Sequence, residues 1–83
     1  MTREQSRELV SLGERYARAH ADGLNIADAS GALLRATCHE IGPTEVLEWA
    51  YKRMNQQNKE VYSAIVGAAA TVLMVGLDLG VTD

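Results

Sequence analysis

Cysteine is nearly missing from this chain. Cys38 is the one thiol in 83 residues, which excludes an internal disulfide and the thiolate clusters of a structural zinc site. Phenylalanine is absent and proline occurs once, at Pro43. An excess of positive charge is lacking too: eight Lys and Arg are interleaved with eleven Asp and Glu, for a net charge of −3 and a pI near 5.3. That balance argues against a nucleic-acid partner, because phosphate binding is driven by clustered basic side chains. The opening residues TREQSRELV do not follow the basic, apolar, small-residue order of a signal peptide. A cytoplasmic protein is expected, and a lone thiol fits a reducing compartment.

What is there is Ala, Leu and Val within a composition that is 47% apolar, the profile of a folded helical protein rather than a disordered one. This length has room for one domain, so residues 1–83 are read as a single helical domain. A chain so short buries only about two-thirds of the surface that its unfolded form exposes. Its stability therefore calls for an addition: a disulfide, a metal or oligomerisation. With the first two excluded, oligomerisation remains.

Helix signals punctuate the first half. Thr2 and Gln5 have capping-box spacing, and Leu9, Leu12, Tyr16 and Ala19 then mark one apolar face opposite Arg3, Glu4, Arg7, Glu8, Ser11, Glu14, Arg15 and Arg18. Asp22-Gly23 is the expected end, Gly taking the left-handed conformation that closes a helix. Asn25 and Asp28 open a second helix, with Ile26, Ala29, Leu33, Leu34, Thr37, Cys38 and Ile41 as its inner face. The small Ser30-Gly31 pair weakens it but permits a close helix approach. Gly42-Pro43-Thr44 ends that helix and starts the next, with Thr44 as cap and Glu45 in the first turn.

From Glu45 onward helical spacing continues through Leu47, Tyr51, Met54, Val61, Ile65, Ala68, Val72 and Val75. The polar run Asn55 to Glu60 contains neither Gly nor Pro. The spacing therefore predicts one helix from Glu45 to Leu77, about 50 Å long, with two helices turning at Asn55–Asn58 as the alternative. Its second half is apolar on every side and uncharged from Val61 to Leu77. A helix of that kind is either the buried centre of an assembly or a membrane span. A single span over 61–79 is the less favoured reading, because the uncharged stretch is short for a bilayer and Asp78 and Asp83 give its end no anchor. Ser63, Gly67 and Thr71 repeat at four-residue spacing, which lets two helices touch backbone to backbone. Ile65, Gly67, Ala68, Thr71, Val72 and Val75 are the expected oligomerisation residues, in a homo-oligomer for which a dimer is the simplest form.

Chemistry-bearing constellations are few. His20, Asp22, Cys38, His39 and Glu40 are the only cluster of ligand types, and adjacent Cys38 and His39 leave a helix in different directions. They read better as a small buried hydrophobe and helix-terminal cations. No metal or cofactor is expected, and no nucleophile with base and orienting acid is discernible, so the chain does not read as an enzyme. A helix-turn-helix over Leu34–Met54 would place Glu45 and Glu48 where base contacts belong, which disfavours DNA binding. Trp49, Tyr51, Lys52, Arg53 and Gln56 form a mixed aromatic and basic surface of the kind a protein partner reads, since Trp, Tyr and Arg dominate binding hot spots. The expectation is an all-α bundle of three or four helices with a long apolar C-terminal helix, oligomeric. Its expected role is that of a small regulatory or inhibitory protein-interaction module, of the size of phage-type accessory proteins.

Overall fold

The computed structural model describes residues 1–23 and 26–78, the side chains of 26–28 and 76–78 excepted. Every element is a helix: α1 (Arg3–Ala21), α2 (Ile26–Ile41), α3 (Pro43–Met54) and α4 (Lys59–Asp78). The capping box forms as expected. The Gln5 N–H donates to Thr2 Oγ1 at 3.1 Å, and the Thr2 N–H donates to Gln5 Oε1 at 2.8 Å. At the other end of α1, Asp22 is the C-cap and Gly23 lies at φ 67°, a conformation that costs glycine nothing. Asn25 and the side chain of Asp28, expected to open α2, lie outside the described residues.

The junction between α2 and α3 is a single residue. Gly42, at φ 123°, donates its N–H to the Cys38 carbonyl at 2.9 Å and accepts from the Val46 N–H at 3.1 Å. Pro43 then begins α3, where its missing N–H leaves no broken helical bond. Thr44 is not the cap, in contrast to the expectation from sequence; Gly42 fills that position with no side-chain hydrogen bond. Glycine wins because the sharp turn needs a positive φ, and Pro43 already supplies helical geometry one residue earlier.

A larger correction concerns residues 45–77, which do not form one rod. Met54 ends α3, and residues 55–58 form an exposed turn before α4 starts at Lys59. Asn58 sits at φ 40°, in the left-handed region that Asn tolerates better than other side chains. Its carbonyl accepts the Tyr62 N–H at 3.0 Å, which sets the first hydrogen bond of α4. A rod of about 50 Å would also overrun the molecule, which measures 35 × 28 × 21 Å. Folding back instead lets α3 cover α4.

Helix α4 packs against each of the other three helices, most extensively against α3. One core draws on all four: Leu9 and Leu12 from α1, Leu34 and Cys38 from α2, Val46 and Ala50 from α3, and Tyr62, Ile65, Ala68 and Ala69 from α4. Small residues set two of the crossings. At Gly13 a β-carbon would stand 3.0 Å from Val61 Cγ1 and 3.2 Å from the Val61 carbonyl oxygen, so α1 meets α4 there with its backbone bare. Gly31 likewise admits the ring of Tyr16, which lies 3.1 Å from the same construction. Helix α2 is consequently rotated from its expected orientation. Ser30, Gly31, Leu34 and Cys38 face inward, whereas Ala29 and Leu33, expected inside, are exposed. Among the described residues no helix is long and apolar enough to cross a membrane.

Candidate protein-interaction surfaces

Among the described residues two open surfaces stand out. The first is built around Trp49, the only tryptophan. On α3, residues 45, 48, 49, 52 and 53 fall on one side of the helix at three- and four-residue spacing, and Gln56 follows in the turn after it. Glu45, Glu48, Trp49, Lys52, Arg53 and Gln56 together line a shallow cleft of about 430 Å³. Trp49 is half-buried, its ring edge-on to that of Tyr62 with centroids 5.4 Å apart. The Arg53 guanidinium carbon lies 5.3 Å from the Trp49 ring centroid. That stack holds both side chains in one orientation and leaves the guanidinium edge free to donate.

A second cleft, about 400 Å³, lies between α1 and α3 and shares Trp49 and Arg53 with the first. Among the described residues no Cα of α1 comes within 8 Å of one of α3, so the two helices flank α4 with a gap between them. Val10, Trp49 and Tyr62 give this gap apolar surface, and Arg3, Arg7 and Arg53 line it together with Glu14. The α1 contribution was not legible in the sequence, where Arg3 and Arg7 read as part of a solvated face. The one available signal was their four-residue spacing, which puts both on one side of the helix.

Of the five residues expected on this surface, four are brought together: Trp49, Lys52, Arg53 and Gln56. Tyr51 is not with them. Two residues along a helix from Trp49, it points to the other flank of α3 and is 57% exposed.

The second open surface belongs to α4. Ile65 and Ala68, expected at a subunit contact, lie in the core of the protomer, and Val72 packs partly against that core. Gly67, Thr71 and Val75 are exposed, joined by Met74 at 63%. Between this side of α4 and the pair α1 and α2 runs a groove of about 600 Å³, with Gly67 and Ala64 along its floor and Tyr16, His20, Arg35 and Glu60 lining it. Among the described residues a β-carbon at Gly67 would meet nothing within 4 Å. The Thr71 hydroxyl donates back to the Gly67 carbonyl at 2.8 Å.

The ligand-type residues do not assemble among the described residues. Cys38 is fully buried, and burial pushes its thiol up from 9.0 to about 11, so it stays a protonated hydrophobe at neutral pH. His20 and His39 are both exposed, whereas Cys38, next to His39 on α2, is buried. Among the described residues no group of three or more His, Cys, Asp or Glu is placed to hold a metal ion. Compared with protein-family models, curated proteins and solved structures, the chain matches none.

Proposed function

We propose that this protein is a small cytoplasmic regulatory or inhibitory module that acts by binding another protein, and that it works as a homodimer joined through the open face of α4. The observation that carries the reading is Gly67. Glycine in a helix interior costs about 1 kcal/mol relative to alanine. At Gly13 and Gly31 that cost has an evident return, because a neighbouring helix presses on the bare backbone. At Gly67 no described residue of the protomer comes that near. A close approach from outside supplies the missing reason, and the surroundings suit it, since no charged residue occurs between Val61 and Leu77 and Met74 and Val75 are exposed. Small residues at four-residue spacing are the usual means by which two helices meet backbone to backbone. The Trp49 surface, away from this face, is left for the partner.

Light scattering after size exclusion, over a hundredfold dilution in buffer without detergent, tests the dimer. Wild-type protein should run as a discrete dimer, and Gly67→Glu as a monomer with an undiminished helical spectrum, because the added side chain enters open space in the protomer. A wild-type monomer at every concentration would remove the dimer reading. A single-span membrane protein, the other assignment weighed from sequence, has less in its favour, given that no described helix is long and apolar enough to span.

A further inference from the structure

The gap between α1 and α3 has a chemistry of its own. In a chain of net charge −3, its lining brings three guanidinium groups, Arg3, Arg7 and Arg53, together with one carboxylate, Glu14. The salt bridge found among the described residues joins the N-terminal amine to Glu45, and none of the three arginines takes part in one. Arg3 is the first residue of α1, where the positive end of the helix dipole repels a cation and a carboxylate would be favoured. The local rule is broken there, as with Gly67, although Glu4 in the same turn follows it. Breaches of that kind gather at functional sites. Between the arginines lies apolar surface from Val10, Trp49 and Tyr62, with Trp49 held edge-on against Tyr62 and under Arg53.

We infer that this groove docks an acidic polypeptide segment carrying an apolar anchor: carboxylates pair with Arg3, Arg7 and Arg53, and the anchor settles against Trp49. Arg forks take carboxylates in bidentate fashion, and a half-buried Trp beside Arg is the composition of a binding hot spot. Length supports a segment rather than a single carboxylate, since Arg3 and Arg7 alone are separated by one helical turn, about 5.4 Å, with Arg53 on the other wall. A nucleic-acid strand suits it less well. Glu14 lies in the groove and Glu48 just across Trp49, so a continuous line of phosphates would meet carboxylates, whereas a peptide can space its charges. The inference rests on Trp49 marking the partner surface and adds the chemistry of what it binds.

The test titrates the full-length chain with a short synthetic peptide rich in Asp and Glu with leucine anchors, following the emission of Trp49, the sole tryptophan. Expected are a saturable shift, weakening as salt rises, and a loss of about tenfold or more in affinity for Arg3→Glu/Arg7→Glu. Both arginines are exposed, and acids suit the start of α1, so this variant keeps its fold; its helical spectrum verifies that. The same peptide with Gln and Asn in place of its acids separates two kinds of failure. If it binds as well as the acidic peptide, the surface takes peptides but the charge assignment is overturned. If neither peptide moves Trp49, the partner surface itself is wrong. Tighter binding of a single-stranded oligonucleotide than of the acidic peptide would also overturn the inference.

Discussion

The two sides of α4 are built from the same kinds of residue and do opposite things. Toward the protomer, Tyr62, Ile65, Ala68 and Ala69 are buried by three neighbouring helices. Away from it, Gly67, Thr71, Met74 and Val75 are exposed, although none of the four is charged. Apolar composition therefore does not say which side belongs to the core. What separates them is the fit of neighbours: Val61 and Ile65 close on the bare backbone of α1 at Gly13, whereas no described residue would come within 4 Å of a β-carbon at Gly67. The difference locates the unfinished part of the structure on one strip of one helix.

The sharpest way to break this comparison is to truncate one apolar side chain on each side. Ile65 is fully buried, so Ile65→Ala removes buried methyl groups and leaves a cavity, which should cost about 2–5 kcal/mol. For a domain of this size that is a large part of the total stability, and thermal melting should show it as a transition lowered by many degrees. Met74→Ala, at a position 63% exposed, should change the protomer by less than about 0.5 kcal/mol. Measured at high dilution the two variants should differ strongly. If Met74→Ala destabilises only at high concentration, the outer side is buried between subunits, which is the sharper form of the contrast.

Much of the fold was legible because its signals are local. The Thr2–Gln5 box, the Gly23 stop and the Gly42-Pro43 break each rest on one or two side chains acting on their own backbone. The break at residues 55–58 was less so, because it depends on Asn58 adopting a positive φ, which a search for Gly and Pro passes over. The orientation of α2 was misread for a different reason. Leu33 is more apolar than Ser30, yet Ser30 is buried and Leu33 is 53% exposed, since the crossing with α1 at Gly31 selects small residues over greasy ones. As for the sites, the α3 half of the Trp49 surface could be read from spacing along one helix. Its α1 half could not, because Arg3 and Arg7 reach it only through the tertiary fold.

A second contrast sets Cys38 against the open side of the molecule, and pH reveals it. The folded state holds the thiol protonated up to about 11, against an ordinary value of 9.0. Between those values the unfolded chain releases its proton while the folded one keeps it, so stability falls as pH rises through that window. The loss attributable to Cys38 should be on the order of 2 kcal/mol by pH 11. Denaturant midpoints of wild type and Cys38→Ala isolate it, because every other titrating group is common to both. Wild type should lose stability faster above pH 9, and parallel curves would mean that the thiol is reached by water.

The smallest effects are the most discriminating, because two chemically identical substitutions should carry opposite signs. Gly13→Ala and Gly67→Ala each recover up to about 1 kcal/mol of helix propensity. At Gly13 the new methyl group meets Val61 Cγ1 at 3.0 Å and the Val61 carbonyl oxygen at 3.2 Å, and a backbone oxygen in a packed helix has no rotamer by which to withdraw. The repulsion should outweigh the gain, leaving this variant less stable by about 1 kcal/mol. At Gly67 the methyl group enters open space, so the isolated protomer should gain most of the propensity term, about 0.8 kcal/mol, or about 3–6 °C in melting temperature for a domain of this length. The same methyl group should loosen the dimer, since it stands where a second backbone would come nearest. A rise in the stability of the diluted protomer with a fall in association at high concentration is the expected pair of results. A gain in stability with association unaltered would place the subunit contact elsewhere and leave Gly67 without a physical reason.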